Sequence, residues 1–213
     1  MRASGVVAIG FWVALGAFGA VGADTRDRLT VVIFDYAHVE PRLLLSAANE
    51  GRRAFRAAGV ETDWILCHPV EGCYVPQRFV QVKILPRPLS GTPVSERGLG
   101  ETTTCTAAEP CSASYIFYNR VLAFADDSSA SADLTLGYVM AHEIGHLLGL
   151  GHSPRGIMTA AFTARDLREA AAGWLCFDHD DVVRLHASIG RTQSASSATH
   201  HIKLAGWRGE AAE

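Results

Sequence analysis

Three histidines at fixed spacing constrain this chain more than any other feature of its sequence. His142 and His146 stand four residues apart in the run HEIGHLLGLGH, and His152 follows six residues later. A helix capped by Ser131 or Asp133 is expected, with apolar faces from Leu136, Val139, Met140, Leu147 and Leu148. Both imidazoles then project from one face of that helix. Gly149 is the expected end of that helix, because a residue without Cβ adopts the left-handed conformation at little cost. The resulting turn brings His152 back as a third ligand.

Three neutral imidazoles predict a zinc site. Three protein ligands leave a fourth position for water, which is typical of a catalytic rather than a structural zinc, and zinc lowers the pKa of such a water to about 7. Glu143 lies ~100° around the helix from His142, near the metal but not bound to it. Its carboxylate is the candidate base that takes the proton of water as a carbonyl carbon is attacked, and then passes it to the leaving amine. The pattern therefore predicts a zinc hydrolase.

The competing interpretation is a helix with incidental core histidines. A bare H-E-x-x-H arises by chance in roughly one chain in 50 of this composition, and Gly149 and His152 at their offsets lower that to about one in 10⁴. The zinc interpretation is favoured on that ground.

The N-terminus has the layout of a secretory signal peptide over residues 1–23. Arg2 supplies a positive charge, residues 6–21 are uncharged and apolar, and Val21 and Ala23 occupy the positions that a signal peptidase reads. The alternative is a membrane anchor, but sixteen residues with three glycines fall short of the ~20 that a spanning helix needs. We therefore expect the signal peptide to be cleaved and the protein to be secreted, periplasmic or extracellular, without stable membrane insertion. We also expect a monomer.

Composition limits the fold class and the partners that the rest of the chain can have. Of the 213 residues 48% are hydrophobic and 19% are charged, enough apolar surface for a packed core. A net charge of −3 argues against a nucleic-acid partner, which normally requires a basic excess. We expect one catalytic domain over residues 24–190 and a flexible C-terminal tail over 191–213.

The hydrophobic pattern predicts an α+β domain. A β-branched run over 29–36, a helix opened by Pro41 and closed by Gly59, and a strand over 60–66 form a β-α-β start. Further strands are expected over 79–85 and over 113–118, and the pattern allows the latter to extend to 125. Residues 86–112 are expected to form a loop, Thr163 with Asp166 to start a helix, and the last helix to begin near Asp178 and end at Gly190.

HEIGHLLGLGH, followed by Met158, resembles the zinc-binding consensus and Met-turn of the metzincin metallopeptidases. Ser153, directly after the third histidine, resembles the matrixin branch, and the stretch 114–189 is similar to small secreted bacterial metzincins. The resemblance implies a twisted mixed β-sheet, a central zinc-binding helix, and a C-terminal helix. It also implies that Met158 forms an apolar floor beneath the metal.

By the same resemblance, the protein would be a secreted zinc metalloendopeptidase with one catalytic Zn²⁺. Its peptide or protein substrate would lie extended along an edge strand within Ser114–Ala125, and the chain after Met158 would wall the pocket beyond the scissile bond. Phe124 stands where matrixins have a structural-zinc histidine, and no calcium loop is recognisable, so neither a second zinc nor calcium is expected. The alternative function is an inactive zinc-binding module that binds peptides. Retention of Glu143 argues against it.

The remaining cysteines and histidines give weaker signals. Cys67 and Cys73, and likewise Cys105 and Cys111, are six residues apart and could close two short disulfide loops, although sequence cannot fix the pairing. Cys176 is left over, and a buried thiol is favoured there over a nucleophile. The other histidines show no ligand spacing, and a surface or capping role is favoured over a second metal site for His38, His68, His179 and His186.

Overall fold

The computed structural model describes residues 28–68, 70–76, 78–89, 98–102, 113–193 and 199–202. The predicted signal peptide and the cysteines Cys105 and Cys111 lie outside the described residues, so those predictions stay predictions. In chain order the strands are β1 (Arg28–Asp35), β2 (Glu61–Cys67), β3 (Cys73–Pro76), β4 (Val80–Leu85), β5 (Gly100–Thr102), β6 (Ala113–Phe117) and β7 (Thr199–Ile202). The helices are α1 (Pro41–Ala57), α2 (Tyr118–Asp127), α3 (Ala132–Leu147), α4 (Ala164–Ala171) and α5 (His179–Gln193).

Five strands form one mixed sheet in the order β2-β1-β4-β6-β5. β1 pairs in parallel with β2 and β4, and β4 pairs in parallel with β6. The predicted β-α-β start is therefore confirmed, since α1 connects the parallel strands β1 and β2. Only β5 runs antiparallel, along the outer side of β6, and this places it at one edge of the sheet.

The prediction of an edge strand within Ser114–Ala125 is wrong in two respects. The strand stops at Phe117, and the next ten residues form α2, whose buried residues Val121 and Ala125 stand four apart on one helical face. The strand is also interior, because β4 and β5 cover its two sides. The edge is β5, three residues within the segment that was predicted to be a loop.

α3 lies at the centre of the molecule, packed against α1 and the sheet. Every residue from Leu134 to Ala141 is buried. The two helices approach closely at Gly137, where an added Cβ would lie 2.5 Å from the Cβ of Glu50 and 2.6 Å from the carbonyl oxygen of Ala47. A side chain there would separate the helices, so the glycine sets the depth at which α3 is buried.

A second, two-stranded sheet pairs β3 with β7 in antiparallel fashion. Cys67 and Cys73, one of the predicted pairs, form a disulfide at its base, with Cα atoms 5.2 Å apart. Gly190 does not end α5, which continues to Gln193, because a glycine inside a helix lowers its stability without breaking its hydrogen bonds. The flexibility of residues 191–213 as a whole stays a prediction. No helix in the described part of the chain is long and apolar enough to span a membrane.

Candidate metal and catalytic site

The end of α3 and the turn after it bring the three histidines together. Gly149 takes a φ of +85°, in the left-handed region. The backbone N–H of Leu150 then donates to the carbonyl oxygen of Gly145 at 2.9 Å, which closes the helix end and reverses the chain. His152 lies on the returning segment, opposite the face of α3 that carries His142 and His146.

The ligand atoms of His142, His146 and His152 all lie within 4.8 Å of one another. Within the described ranges no other group of three or more histidine, cysteine or acidic side chains is close enough to hold a metal ion. His142 and His146 are half-buried on α3, and His152 is exposed. The cluster is therefore anchored in the core on one side and open to solvent on the other, as a site that admits a substrate must be.

Backbone carbonyls fix the orientation of the two helix histidines. Nδ1–H of His142 donates to the carbonyl oxygen of Ile157 at 2.7 Å, and Nδ1–H of His146 donates to that of Leu150 at 2.8 Å. A carbonyl can only accept, so in the neutral imidazoles the proton resides on Nδ1 and the lone pair on Nε2. Burial lowers the pKa of His142 to about 4 and also lowers the pKa of His146, so both rings are neutral at pH 7.

The donor set fits zinc. The Nε2 atoms of His142 and His146 are 3.0 Å apart, and neither carries a proton that it could donate to the other. Two facing lone pairs require a cation or a donor between them. A tetrahedral zinc with Zn–N distances of ~2.1 Å separates its nitrogen ligands by roughly 3.4 Å, so a small shift of the two rings would admit the ion. The carbonyl partners on Nδ1 are those usually found behind zinc-bound histidines.

Met158 lies directly beneath α3. Its side chain is fully buried, and a Cβ added to Gly145 would collide with its Sδ atom. The backbone N–H of Ser153 donates to the carbonyl oxygen of Met158 at 2.8 Å, which ties the segment after the third histidine to this turn. Met158 thus packs against α3 at Gly145, one residue before His146. Its role as an apolar floor beneath a metal stays a prediction.

A buried carboxylate on α5 holds the same segment from the other side. Asp181 is 0% exposed, and the hydroxyl of Ser153 lies 2.9 Å from its Oδ1 and 2.8 Å from its Oδ2. Its second polar neighbour is Arg184, at 3.8 Å. Sequence reasoning singled out Asp181 only as part of a helix start, because nothing in the sequence links it to Ser153.

Glu143 is 5% exposed and faces β5. The hydroxyl of Thr102 donates to Oε2 of Glu143 at 2.7 Å. Burial raises the pKa of Glu143 to about 7, and this hydrogen bond acts in the opposite direction. A group with a pKa near neutrality can both accept and release a proton at physiological pH. The carboxyl group therefore suits the acid–base role that the sequence assigned to it.

β5 approaches Glu143 closely because Gly100 has no side chain. A Cβ at this position would lie 2.7 Å from Oε1 of Glu143 and 2.8 Å from the carbonyl oxygen of Tyr115. Sequence reasoning missed both Gly100 and Thr102. They lie in a segment rich in glycine, proline, serine and threonine, and no local pattern indicates a partner 41 residues away.

Phe162, four residues after Met158, contacts the histidine cluster. Its ring meets that of His142 edge-on, with 5.6 Å between centroids. Thr163 follows and forms a capping box with Asp166 that starts α4, as predicted. The capped helix fixes the end of the segment, so Phe162 is held beside the candidate ligand His142.

The other predicted residues lie elsewhere or act structurally. Cys176 is half-buried and its thiol forms no disulfide. Its backbone carbonyl oxygen accepts a hydrogen bond from the backbone N–H of Ile157 at 3.0 Å. His186 contacts the carbonyl oxygen of Ala58 through Nε2 at 2.8 Å, and Nδ1 of His68 accepts from two backbone N–H groups of its own turn. None of them joins the three-histidine cluster, and neither do His38 or His179.

Residues 123–172 match a family model described as "Putative peptidase family". The matched segment contains the second half of α2, the whole of α3 and α4, the three histidines, Glu143 and Met158. It covers the candidate site but less than a quarter of the chain. No curated protein matches the chain at a significant level.

The fold of this chain resembles that of solved structures. The chain is similar to the archaemetzincin of Methanopyrus kandleri, with 15% identity, a TM-score of 0.50, and coverage of 78% of this chain and 97% of that one. A zinc-dependent peptidase from Methanocorpusculum labreanum matches with 19% identity, a TM-score of 0.47 and coverage of 73% and 99%. The mixed α/β fold is therefore similar to that of archaemetzincin, and the narrower likeness to matrixins stays a prediction.

Proposed function

We propose that this protein is a secreted zinc-dependent endopeptidase. The observation that carries the proposal is the convergence of three imidazoles, two of them with Nε2 lone pairs facing each other, beside a buried carboxylate on the same helix. The family model that matches residues 123–172 and the likeness of the fold to archaemetzincin both support it. His142, His146 and His152 would hold the ion.

Zinc, when bound there, supplies the Lewis acidity that acidifies a water molecule and stabilises negative charge on the carbonyl oxygen. The protein's own residues do the rest of the work. Glu143 accepts the proton of the attacking water and then delivers it to the leaving amine. Its burial serves both steps, because a carboxyl group with a pKa of about 7 gains or loses a proton at neutral pH at little cost in free energy.

The substrate class follows from the edge of the sheet. β5 is the last strand of its sheet, so its outer side offers backbone N–H and C=O groups to an extended peptide. Backbone pairing tolerates many sequences, which suits an enzyme that cleaves within protein chains. The peptide would pass beside Glu143, because Gly100 and Thr102 of the same strand contact that carboxylate.

The test uses the full chain loaded with zinc and an unfolded protein substrate such as reduced casein. Internal cleavage sites identified by mass spectrometry, activity lost on chelation and restored by zinc, and at least 100-fold loss in Glu143→Gln would support the proposal. Glu71→Gln is the matched control, since Glu71 is exposed and distant from the site along the chain. If the protein binds zinc but neither the wild type nor Glu143→Gln cleaves the substrate, the proposal is overturned in favour of a peptide-binding module.

N-terminal sequencing of the exported protein tests secretion: a start at Asp24 is expected.

A further inference from the structure

Two hydroxyl groups from neighbouring strands meet at Glu143. Oγ1 of Thr102, on β5, lies 2.7 Å from Oε2 of Glu143 and 2.6 Å from Oγ of Ser114, on β6. The two residues are directly paired across the strands. Both hydroxyls also approach the backbone carbonyl oxygen of Glu143, Ser114 at 3.1 Å and Thr102 at 3.2 Å. The glutamate is thus held at its side chain and at its backbone by the same pair.

The hydrogens of this cluster can be assigned by counting donors. When Glu143 is ionised, which is the form that acts as a base, two hydroxyl hydrogens are available for the carboxylate, the carbonyl oxygen and the contact between the hydroxyls. The carboxylate is the strongest acceptor, and an O–H···O⁻ bond of about 2.7 Å has the length of a charge-assisted hydrogen bond. Thr102 therefore donates to Glu143, and Ser114, which is fully buried, donates either to Thr102 or to the carbonyl oxygen. Either arrangement leaves the hydroxyl of Thr102 oriented toward the carboxylate.

Gly100 restricts the carboxylate from the other side. Its backbone approaches Oε1 so closely that no Cβ would fit, while Thr102 binds Oε2. Residues 100 and 102 stand on the same face of β5, as alternate residues of a strand do. The strand therefore presents one contact surface to Glu143, with a hydrogen-bond donor at one end and a close backbone contact at the other.

We propose that Thr102 is a positioning residue for Glu143, which holds the carboxylate in the orientation needed to take the proton of water. This inference rests on the proposed function and assigns to β5 a role in addition to peptide docking. A hydroxyl that only orients the base contributes to turnover. It contributes little to substrate affinity, because peptide pairing uses the backbone of β5, and little to zinc affinity, because it contacts none of the three histidines.

The test compares Thr102→Val, which keeps the shape and removes the donor, with Thr102→Ser, which keeps the donor. We expect Thr102→Val to lower kcat about 10- to 100-fold, the range for one charge-assisted hydrogen bond, with KM changed less than about twofold. Thr102→Ser should retain most of the kcat. Thr62→Val is the matched control: it removes a hydroxyl that accepts from Nε1 of Trp64 at 2.8 Å on β2, at the opposite edge of the sheet, and should leave kcat unchanged.

A second comparison separates positioning from general damage. In a Glu143→Gln background the base is already lost, so Thr102→Val should cause no further loss of activity. If Thr102→Val instead damaged the structure generally, it would lower the activity by the same factor in both backgrounds. Wild-type kcat in Thr102→Val, equal losses in both backgrounds, or an equal loss in Thr102→Ser would each overturn the inference while the peptidase proposal stands. If Thr102→Val fails to bind zinc one to one, Thr102→Ala takes its place under the same criteria. A wild-type protein that cleaves nothing overturns the peptidase proposal, and this inference with it.

Discussion

The hydroxyl of Ser153 contacts both carboxylate oxygens of Asp181, at 2.9 and 2.8 Å. Ser153 follows the third candidate ligand, His152, and Asp181 lies in the first turn of α5 with no exposed surface. This contact joins the most exposed of the three histidines to the core of the domain. The position of His152 therefore depends on a helix that contributes no ligand itself.

We predict that Ser153→Ala weakens zinc binding and lowers the free energy of unfolding by about 1–3 kcal/mol, because it leaves a buried carboxylate without its closest donor. Asp181→Asn should act in the same direction. Asp180→Asn is the matched control, since Asp180 is exposed in the same helical turn. Zinc competition titrations and urea unfolding measure the two effects. Wild-type zinc affinity in both variants would show that His152 is held by other contacts.

Gly145 is predicted to be intolerant of even one methyl group. Gly145→Ala would drive a Cβ into the Sδ atom of Met158, and overpacking of this kind costs about 1–3 kcal/mol. Gly151→Ala is the control, because an added Cβ there meets nothing within 4 Å. Thermal unfolding should show a lower Tm for Gly145→Ala alone. In a Met158→Ala background, Gly145→Ala should lower the free energy of unfolding by less than it does in the wild type. If the two substitutions instead lower it additively, the contact between Gly145 and Met158 is contradicted.

The predictable part of this site is the part encoded within a few turns of one helix. The spacing of His142 and His146, the left-handed turn at Gly149 and the return of His152 all follow from local geometry. The β-α-β start was equally accessible, because β1 is a continuous apolar run and α1 has an apolar stripe. In each case the residues that determine the structure are neighbours in sequence.

The unpredicted part depends on contacts between distant segments. Residues 118–127 carry apolar and aromatic side chains that suit a strand or a helix, and burial of Val121 and Ala125 against the core decides for α2. β5 has only three residues, and its pairing with β6 gives it an extended conformation that its own sequence does not specify. Thr102 could not be assigned to Glu143 for the same reason, since the strand that carries it was not predicted.

Zinc removal should lower stability by a calculable amount. A ligand present at 100 times its Kd stabilises the folded state by about 2.7 kcal/mol, which corresponds to a Tm shift of roughly 5–10 °C for a chain of this size. Calorimetry with and without chelator measures the shift. Alanine at His142, His146 or His152 should abolish it, whereas His179→Ala, an exposed histidine outside the cluster, should preserve it. A shift that survives replacement of a cluster histidine would place the ion elsewhere.

Glu143 should make the metal-free protein less stable at high pH. The folded-state pKa of this carboxyl is raised from 4.5 to about 7 by burial, so the folded state binds its proton more tightly than the unfolded state does. Its favourable contribution is fully present below pH 4.5 and is lost as the pH rises through 7.

Glu143→Gln removes this titration and keeps an acceptor for Thr102. In chelator, we expect the variant and the wild type to have equal stability below about pH 4.5, and the variant to become more stable as the pH rises, with a plateau above pH 7. The gain is at most about 3 kcal/mol, from 1.36 kcal/mol per pKa unit. Urea unfolding across pH 4–9 measures it, with Glu71→Gln as the exposed control. A difference between variant and wild type that does not change with pH would contradict the raised pKa and would leave the acid–base role of Glu143 without its electrostatic basis.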